Sequence, residues 1–338
     1  MSAGLNSRNN YFPNIDILRI IASISIVVLH TFPTLQMVQF NSLGTSTILY
    51  LKYHVEILLF GVDLFFVISG YVIATTLEGK KSFTSFLKGR AKRIIPLYWL
   101  IMTFTVVLYL IINLFAENKA EIGGPIRIIR SLLFLEGTFN SSEPIVAQGW
   151  TLEYEFGFYL IASSLLFMQK MRNSYFFIFS VLIVLGLIFP GKIHFLEFGL
   201  GIIVYLLSNK FKMDERFGFV SLFCGFSLLI INFYALQHVN YFIKYGIPSG
   251  FILLGSVLIQ QIDGKVIRLL GKVSYPLYLV HFLVIQLGFQ LVKRVGPLGN
   301  LEIVLPFCFT ITLSLLLSFV LYLFFDRPIT RRLTKSNW

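Results

Sequence analysis

Two side chains that a bilayer-spanning helix tolerates poorly stand in the first long apolar segment of this chain: Arg19 and His30, with ten residues between them. Ionisable groups at membrane depth face protein or a polar cavity and mark function, because hydrocarbon cannot solvate them. An eleven-residue step is about three helical turns and roughly 16 Å of rise, so the two side chains share one helix face at different depths. A histidine suits removal of a proton from a hydroxyl, and a neighbouring carboxylate can orient the imidazole and stabilise its protonated form. Asp63 and Glu155, in two other apolar segments, are the candidate carboxylates.

The elements that position these groups are helices in a membrane. Hydrophobic residues make up 56% of the chain and charged ones 13%, and the mean hydropathy is +0.79. Those values exclude a soluble domain with a charged surface. Ten apolar segments approach the length needed to cross about 30 Å of hydrocarbon. They run near 15–33, 55–77, 92–116, 149–168, 174–190, 193–209, 216–235, 241–261, 272–293 and 299–325. The expected fold is all-α, a polytopic membrane protein of about ten transmembrane helices. Its parts are an N-terminal tail at 1–14, a transmembrane domain at 15–325 and a basic C-terminal tail at 326–338. Asp16 and Arg19 interrupt the start of the first segment and His30-Thr31-Phe32-Pro33 closes it, with no small-residue cleavage site, so it reads as a retained span rather than a signal peptide.

Lysine and arginine collect in short cytoplasmic connections. With both termini inside, twenty basic residues fall on the cytoplasmic side and eight on the other. The net charge of +12 is therefore a topology signal, and no motif supports nucleic-acid binding. In this arrangement His30 lies roughly 22 Å along its helix from the cytoplasm, Asp63 roughly 12 Å below the outer surface and Glu155 about 9 Å below it. Three ionisable groups from three helices thus share the outer half of the membrane. Cys224 and Cys308 lie in apolar runs and read as small packing residues. Neither a metal-ligand cluster nor a Gly-rich phosphate cradle is legible. His54, His194 and His238, near segment ends, receive no role.

Several local patterns occur in one order: Asp16-Ile-Leu-Arg19 followed by His30; Gly61-Val-Asp63-Leu-Phe-Phe-Val-Ile-Ser69-Gly70-Tyr71; Arg90-Ala-Lys-Arg93-Ile-Ile-Pro96-Leu-Tyr98-Trp99; Trp150-Thr-Leu-Glu-Tyr-Glu155-Phe-Gly-Phe158-Tyr159; Ser274-Tyr275-Pro-Leu-Tyr278-Leu-Val-His281; and Asp326-Arg-Pro328. As a set covering nearly the whole chain they resemble the acyltransferase 3 family, membrane enzymes that O-acylate surface polysaccharides and related glycans. The resemblance implies that Arg19 and His30 form the Arg/Lys-x10-His motif, and that Arg90 and Arg93 form the Arg-x-x-Arg motif on the cytoplasmic side, there to hold the phosphates of acyl-CoA. Arginine suits phosphate through its planar fork, and three residues apart on a helix the pair shares a face, although topology alone also places basic residues here. The chain departs from many relatives in two places: Phe156 follows Glu155 where they pair two acids, and Thr151 stands for their serine, with Glu153 two positions too early to substitute. Many relatives also carry a C-terminal esterase-like domain, so the expectation is the stand-alone form.

The expected activity is an integral membrane O-acyltransferase of the bacterial inner membrane, moving an acyl group, acetyl first among the candidates, from cytoplasmic acyl-CoA to a hydroxyl of an extracytoplasmic polysaccharide or lipid-linked glycan. Acyl-CoA is a substrate, and no permanently bound cofactor is expected. Catalysis falls to His30, as general base or transient acyl carrier, with Arg19, Glu155 and Asp63. Arg90 and Arg93 hold the donor, and Trp150, Tyr278 and His281 line the acceptor cavity. His281 is open to a second reading as a packed, hydrogen-bonded histidine, and Trp150 to one as an interface anchor. The partners are acyl-CoA, the glycan and membrane lipids; a homo-oligomer is left open. A transporter or flippase is the alternative function, against which stands the lack of a two-halved repeat. A non-catalytic assembly partner would leave Arg19 and His30 unexplained.

Overall fold

A computed structural model describes residues 11–36, 53–77, 83–115, 123–137, 142–167, 181–186, 193–211, 213–236, 238–295 and 301–335. The described residues form helices and connections, with no strand among them. The helices used below are α1 (Pro13–Gln36), α2 (Phe60–Leu77), α3 (Phe83–Phe115), α4 (Pro125–Leu132), α5 (Gly149–Phe167), α6 (Phe195–Lys210), α7 (Glu215–Ala235), α8 (Ile247–Leu258), α9 (Lys265–Val295), α10 (Leu301–Leu321) and α11 (Arg327–Lys335). Among the described residues, six stretches are long and apolar enough to cross a membrane: Pro13–Thr31, Tyr53–Thr76, Phe83–Leu114, Glu215–Ala235, Lys265–Gly288 and Leu305–Leu333.

The remaining expected spans differ in instructive ways. α5 forms where expected, but Thr151, Glu153 and Glu155 in its first turns make it more polar. α6 has 16 residues. The 241–261 segment is the shorter apolar helix Phe242–Leu258. Most of 174–190 lies outside the described residues. Large apolar side chains cover the outside of α3 and α7, among them Phe104, Leu110, Leu114, Phe219, Phe223 and Ile231, all exposed. Water does not tolerate apolar surface on that scale, and lipid does.

Two helix boundaries shift from the sequence reading. α3 begins at Phe83 rather than near 92, so Arg90 and Arg93 stand inside it, one turn apart. The C-terminal basic stretch is also helical, because α10 runs on through a π-turn at Tyr322–Asp326 into α11. A second π-turn, Phe242–Gly246, leads into α8. Each π-turn is followed two residues later by a proline, Pro328 or Pro248. Proline has no N–H to donate and its ring presses on the carbonyl four residues back, and a widened turn relieves both.

Contacts divide the chain into two compact units, one of Met1–Ile21, Asp63–Lys81 and Tyr175–Lys272, the other of Ala22–Val62, Ser82–Ser174 and Val273–Trp338. In the first, α2 and α6 touch backbone to backbone. A Cβ on Gly70 would stand 2.1 Å from the Phe198 carbonyl oxygen, and one on Gly201 would stand 2.0 Å from that of Val67. Glycine at these two positions allows the close crossing. α7 and α8 pack in a similar way around Gly218, Gly225 and Gly255, with the Ser221 hydroxyl donating to the Phe251 carbonyl at 2.8 Å. Asn14 fixes the start of α1: its Nδ2 donates to the Ser256 and Gln260 carbonyls at 2.9 and 3.1 Å, and its Oδ1 accepts from the Ile262 N–H at 3.0 Å.

In the second unit, α3 and α9 each carry an internal proline, Pro96 and Pro276. Hydroxyls from neighbouring helices bond carbonyls two residues before each: Tyr275 Oη donates to Ile94 O at 2.8 Å, and Ser23 Oγ donates to Ser274 O at 2.9 Å. These bonds draw α9 to α3, and the body of α1 to α9. The Lys92 ammonium donates to the Leu333 carbonyl, tying α11 to α3.

Candidate active site

Arg19 and His30 both lie on α1, as their spacing requires. Arg19 sits in the first unit, 4.0 Å from Asp16 one turn earlier. His30 belongs to the second unit, where its ring stacks on that of His281 with centroids 5.4 Å apart and planes 25° apart, while Phe282 meets it edge-on at 5.9 Å. The histidine chosen for chemistry and the histidine assigned to the cavity wall are thus neighbours.

The His281 side chain is fully buried. Its Nδ1 lies 2.7 Å from the Tyr278 carbonyl oxygen. A carbonyl only accepts, so Nδ1 carries the proton and the neutral ring presents Nε2 as a bare lone pair. That Nε2 is buried and has no hydrogen-bond partner among the described residues. An orphaned acceptor in a packed interior is costly and calls for a functional account.

Tyr278 joins this pair to the start of α5. The Thr151 hydroxyl donates to the Gln148 carbonyl at 2.9 Å, which uses its only proton, so Tyr278 Oη donates to Thr151 Oγ1 at 2.8 Å. Gln148 Nε2 in turn lies 3.4 Å from the Leu279 carbonyl. Threonine keeps the hydroxyl of the serine it replaces, and this bond needs only that hydroxyl. Trp150, next in sequence, is half-buried and meets Tyr154 edge-on at 5.9 Å.

Glu155 stands at a second cluster. Its carboxylate accepts from Tyr159 Oη one turn later. The Arg90 guanidinium lies over the Tyr159 ring at 5.6 Å from its centroid and over Phe86 at 5.7 Å. Arg90 is half-buried against these aromatics, whereas Arg93 is exposed. The pair therefore divides into an arginine seated on a cation–π shelf and one presented to the surroundings. Tyr159, quoted in its motif but given no role from sequence, connects acid and arginine.

Asp63 belongs to the first unit. It lies in the first turn of α2, with its described partners His194 and Glu197 at the start of α6, and one ligand atom from each of the three falls within 4.8 Å of the others. Neither partner carries a sequence motif, and the one signal for them is the His-x-x-Glu spacing of one helical turn.

The family described as "Acyltransferase domain" matches residues 12–323. Among curated proteins the chain is 28% identical to the exopolysaccharide production protein ExoZ of Rhizobium meliloti, an alignment covering 80% of this chain and 89% of that protein. It is 27% identical to the O-acetyltransferase OatA of Staphylococcus aureus over 95% of this chain and 58% of OatA. No solved structure is detectably similar. The family match spans α1 through the π-turn after α10, and with it every cluster described above, on apolar helices able to cross a membrane more than once: the chain belongs to the acyltransferase domain family and is a multi-pass membrane acyltransferase.

Proposed function

We propose that the protein is an O-acyltransferase that carries an acyl group, acetyl first among the candidates, from cytoplasmic acyl-CoA to a hydroxyl of an extracytoplasmic glycan. The reading includes ten spans with both termini cytoplasmic and residence in a bacterial inner membrane, supported by the distribution of basic residues. The relatives' names, exopolysaccharide production protein and O-acetyltransferase, support the acceptor class and the acyl group.

The stacked His30–His281 pair carries the mechanism. His30 accepts the proton of the glycan hydroxyl while that oxygen attacks the thioester carbonyl. The new C–O bond replaces the C–S bond, and the coenzyme A thiolate leaves and takes up a proton. His281, its Nδ1 committed to the Tyr278 carbonyl, supplies a second lone pair at Nε2 that accepts a hydrogen bond from the hydroxyl or from protonated His30. Arg19 stands about three turns toward the N-terminus of the same helix and guides the donor toward the pair. Arg90 and Arg93 hold the donor's phosphates, with Glu155 and Tyr159 fixing Arg90.

An acyl-histidine route uses the same residues, with His30 attacking the thioester first and passing the group to the hydroxyl afterwards. Acid-quenched mass spectrometry after acyl-CoA alone separates the two, since only this route leaves an acylated His30 peptide. For the function itself the test is mass spectrometry of surface glycans from cells with the wild-type protein, with His30→Ala, and without the gene. The expected result is an acyl mass present in the first and lost in the other two at equal protein level. Retention of more than about a tenth of wild-type turnover by His30→Ala refutes the assignment, because removing a general base costs on the order of 10² or more.

A further inference from the structure

We infer that Asp63, His194 and Glu197 form a binding site for one divalent transition-metal ion such as Zn²⁺. The three come from two helices of the first unit, α2 and α6, which the glycine contacts at Gly70 and Gly201 hold close. Asp63 is 2% exposed and Glu197 0%, and the His194 side chain keeps 17% of its surface, leaving the cluster one accessible side. Phe66 packs on both His194 and Phe198, at 5.4 and 4.9 Å between ring centroids, so the surroundings are aromatic.

Glu197 stands in the first turn of α6, and Asp63 lies within the continuous helical stretch Tyr53–Thr76. The ion pairs given by the described residues are Arg19–Asp16, His194–Glu197 and Arg268–Asp263, so neither carboxylate has a lysine or arginine partner among them. Asp63 and Glu197 are hydrogen-bonded to each other side chain to side chain, so the metal-free pair holds a shared proton, and a divalent ion takes the place of that proton. A divalent ion bound by two carboxylates and a neutral histidine gives a neutral assembly.

His194 Nδ1 lies 3.2 Å from each oxygen of Glu197. Two ligands each about 2.1 Å from a metal and this far apart subtend roughly 100° at it, between octahedral and tetrahedral values. On binding, Nδ1 turns its lone pair to the ion and the imidazole carries its proton on Nε2. Asp63 Oδ1 is buried with no hydrogen-bond partner among the described residues, an acceptor already stripped of water. One nitrogen and two carboxylate oxygens select Zn²⁺, Co²⁺, Mn²⁺ or Fe²⁺ over Mg²⁺ and Ca²⁺, which prefer all-oxygen sets. Three protein ligands leave a fourth position for water.

The full-length protein, purified in detergent with a tag free of histidine and stripped with a chelator, is titrated with Co²⁺ while its visible d–d absorption is followed. Its Zn²⁺ content is measured separately after loading and gel filtration. The expected results are one equivalent of either metal and a band of low-symmetry nitrogen–oxygen coordination. Asp63→Asn, His194→Phe and Glu197→Gln each lose at least about tenfold in affinity. A wild-type protein that retains well under half an equivalent overturns the proposal without reference to any variant. So does equal retention by the variants, which places the metal elsewhere. An infrared band of a protonated carboxyl that persists in the wild type with Zn²⁺ present and vanishes in Glu197→Gln also overturns it, showing a shared proton in place of a metal.

Discussion

Replacing His281 by phenylalanine isolates the imidazole's chemistry from its packing. A phenyl ring fills nearly the same volume and keeps the face-on contact with His30 and the edge contact with Phe282, at 5.4 and 6.4 Å between ring centroids for the native histidine. Two things are lost: the Nδ1–H bond to the Tyr278 carbonyl and the bare Nε2. A net neutral hydrogen bond contributes about 1 kcal/mol, and here the loss is offset by removing a buried acceptor that had no partner. Thermal unfolding should therefore move by no more than a few degrees. The rate effect is of another size. If Nε2 accepts a proton or a hydrogen bond from the reacting hydroxyl, kcat should fall by at least about 10², or about 2.7 kcal/mol of transition-state stabilisation. The assay is transfer from radiolabelled acyl-CoA in proteoliposomes, with KM for the donor measured alongside. A large drop in kcat at nearly constant donor KM supports the pair. Activity above about a tenth of wild type in a well-folded His281→Phe protein refutes the reasoning and returns His281 to a packing role. A fall in kcat matched by a collapse of the unfolding temperature refutes it equally, because the effect would then be structural.

Arg90→Ala should raise the acyl-CoA KM at least about tenfold with little change in acceptor dependence, and Arg90→Lys should recover only part, since an ammonium lacks the flat fork that stacks on Tyr159 and Phe86; unchanged CoA affinity by calorimetry in both Arg90→Ala and Arg93→Ala would leave the pair as topology signals. Gly201→Val should lower detergent-solubilised stability by about 1–3 kcal/mol or more, because even a Cβ would stand 2.0 Å from the Val67 carbonyl oxygen, and a monodisperse, equally heat-resistant variant would contradict the crossing of α2 and α6. In a Cys224→Ala, Cys308→Ala background, Glu143→Cys should react with an impermeant thiol reagent on intact cells and Ser85→Cys only after the membrane is opened; equal labelling on intact cells would overturn the proposed orientation.

Much of this protein is determined by local sequence. Apolar runs of span length dictate helices, because a backbone in hydrocarbon must satisfy its own hydrogen bonds. The eleven-residue step from Arg19 to His30 needed nothing beyond helical periodicity, and the motif order sufficed for the family. Helix ends were less legible: α3 starts nine residues early and α10 continues into α11, since basic residues are good helix formers and the π-turn at Tyr322–Asp326 accommodates Pro328. What the tertiary structure decided was partnership. His30 and His281 are 251 positions apart, and their meeting depends on how α1 and α9 pack, with Ser23 bonded to Ser274 a few turns away. Asp63 has its described partners in His194 and Glu197, which only the close approach of α2 and α6 at two glycines can bring to it. Glu155 likewise meets Arg90 through Tyr159 because α5 lies on α3. Periodicity gives the face on which a side chain stands, whereas the neighbour it meets there is set by helix packing over long separations, and one chain read by itself carries no local signal of that.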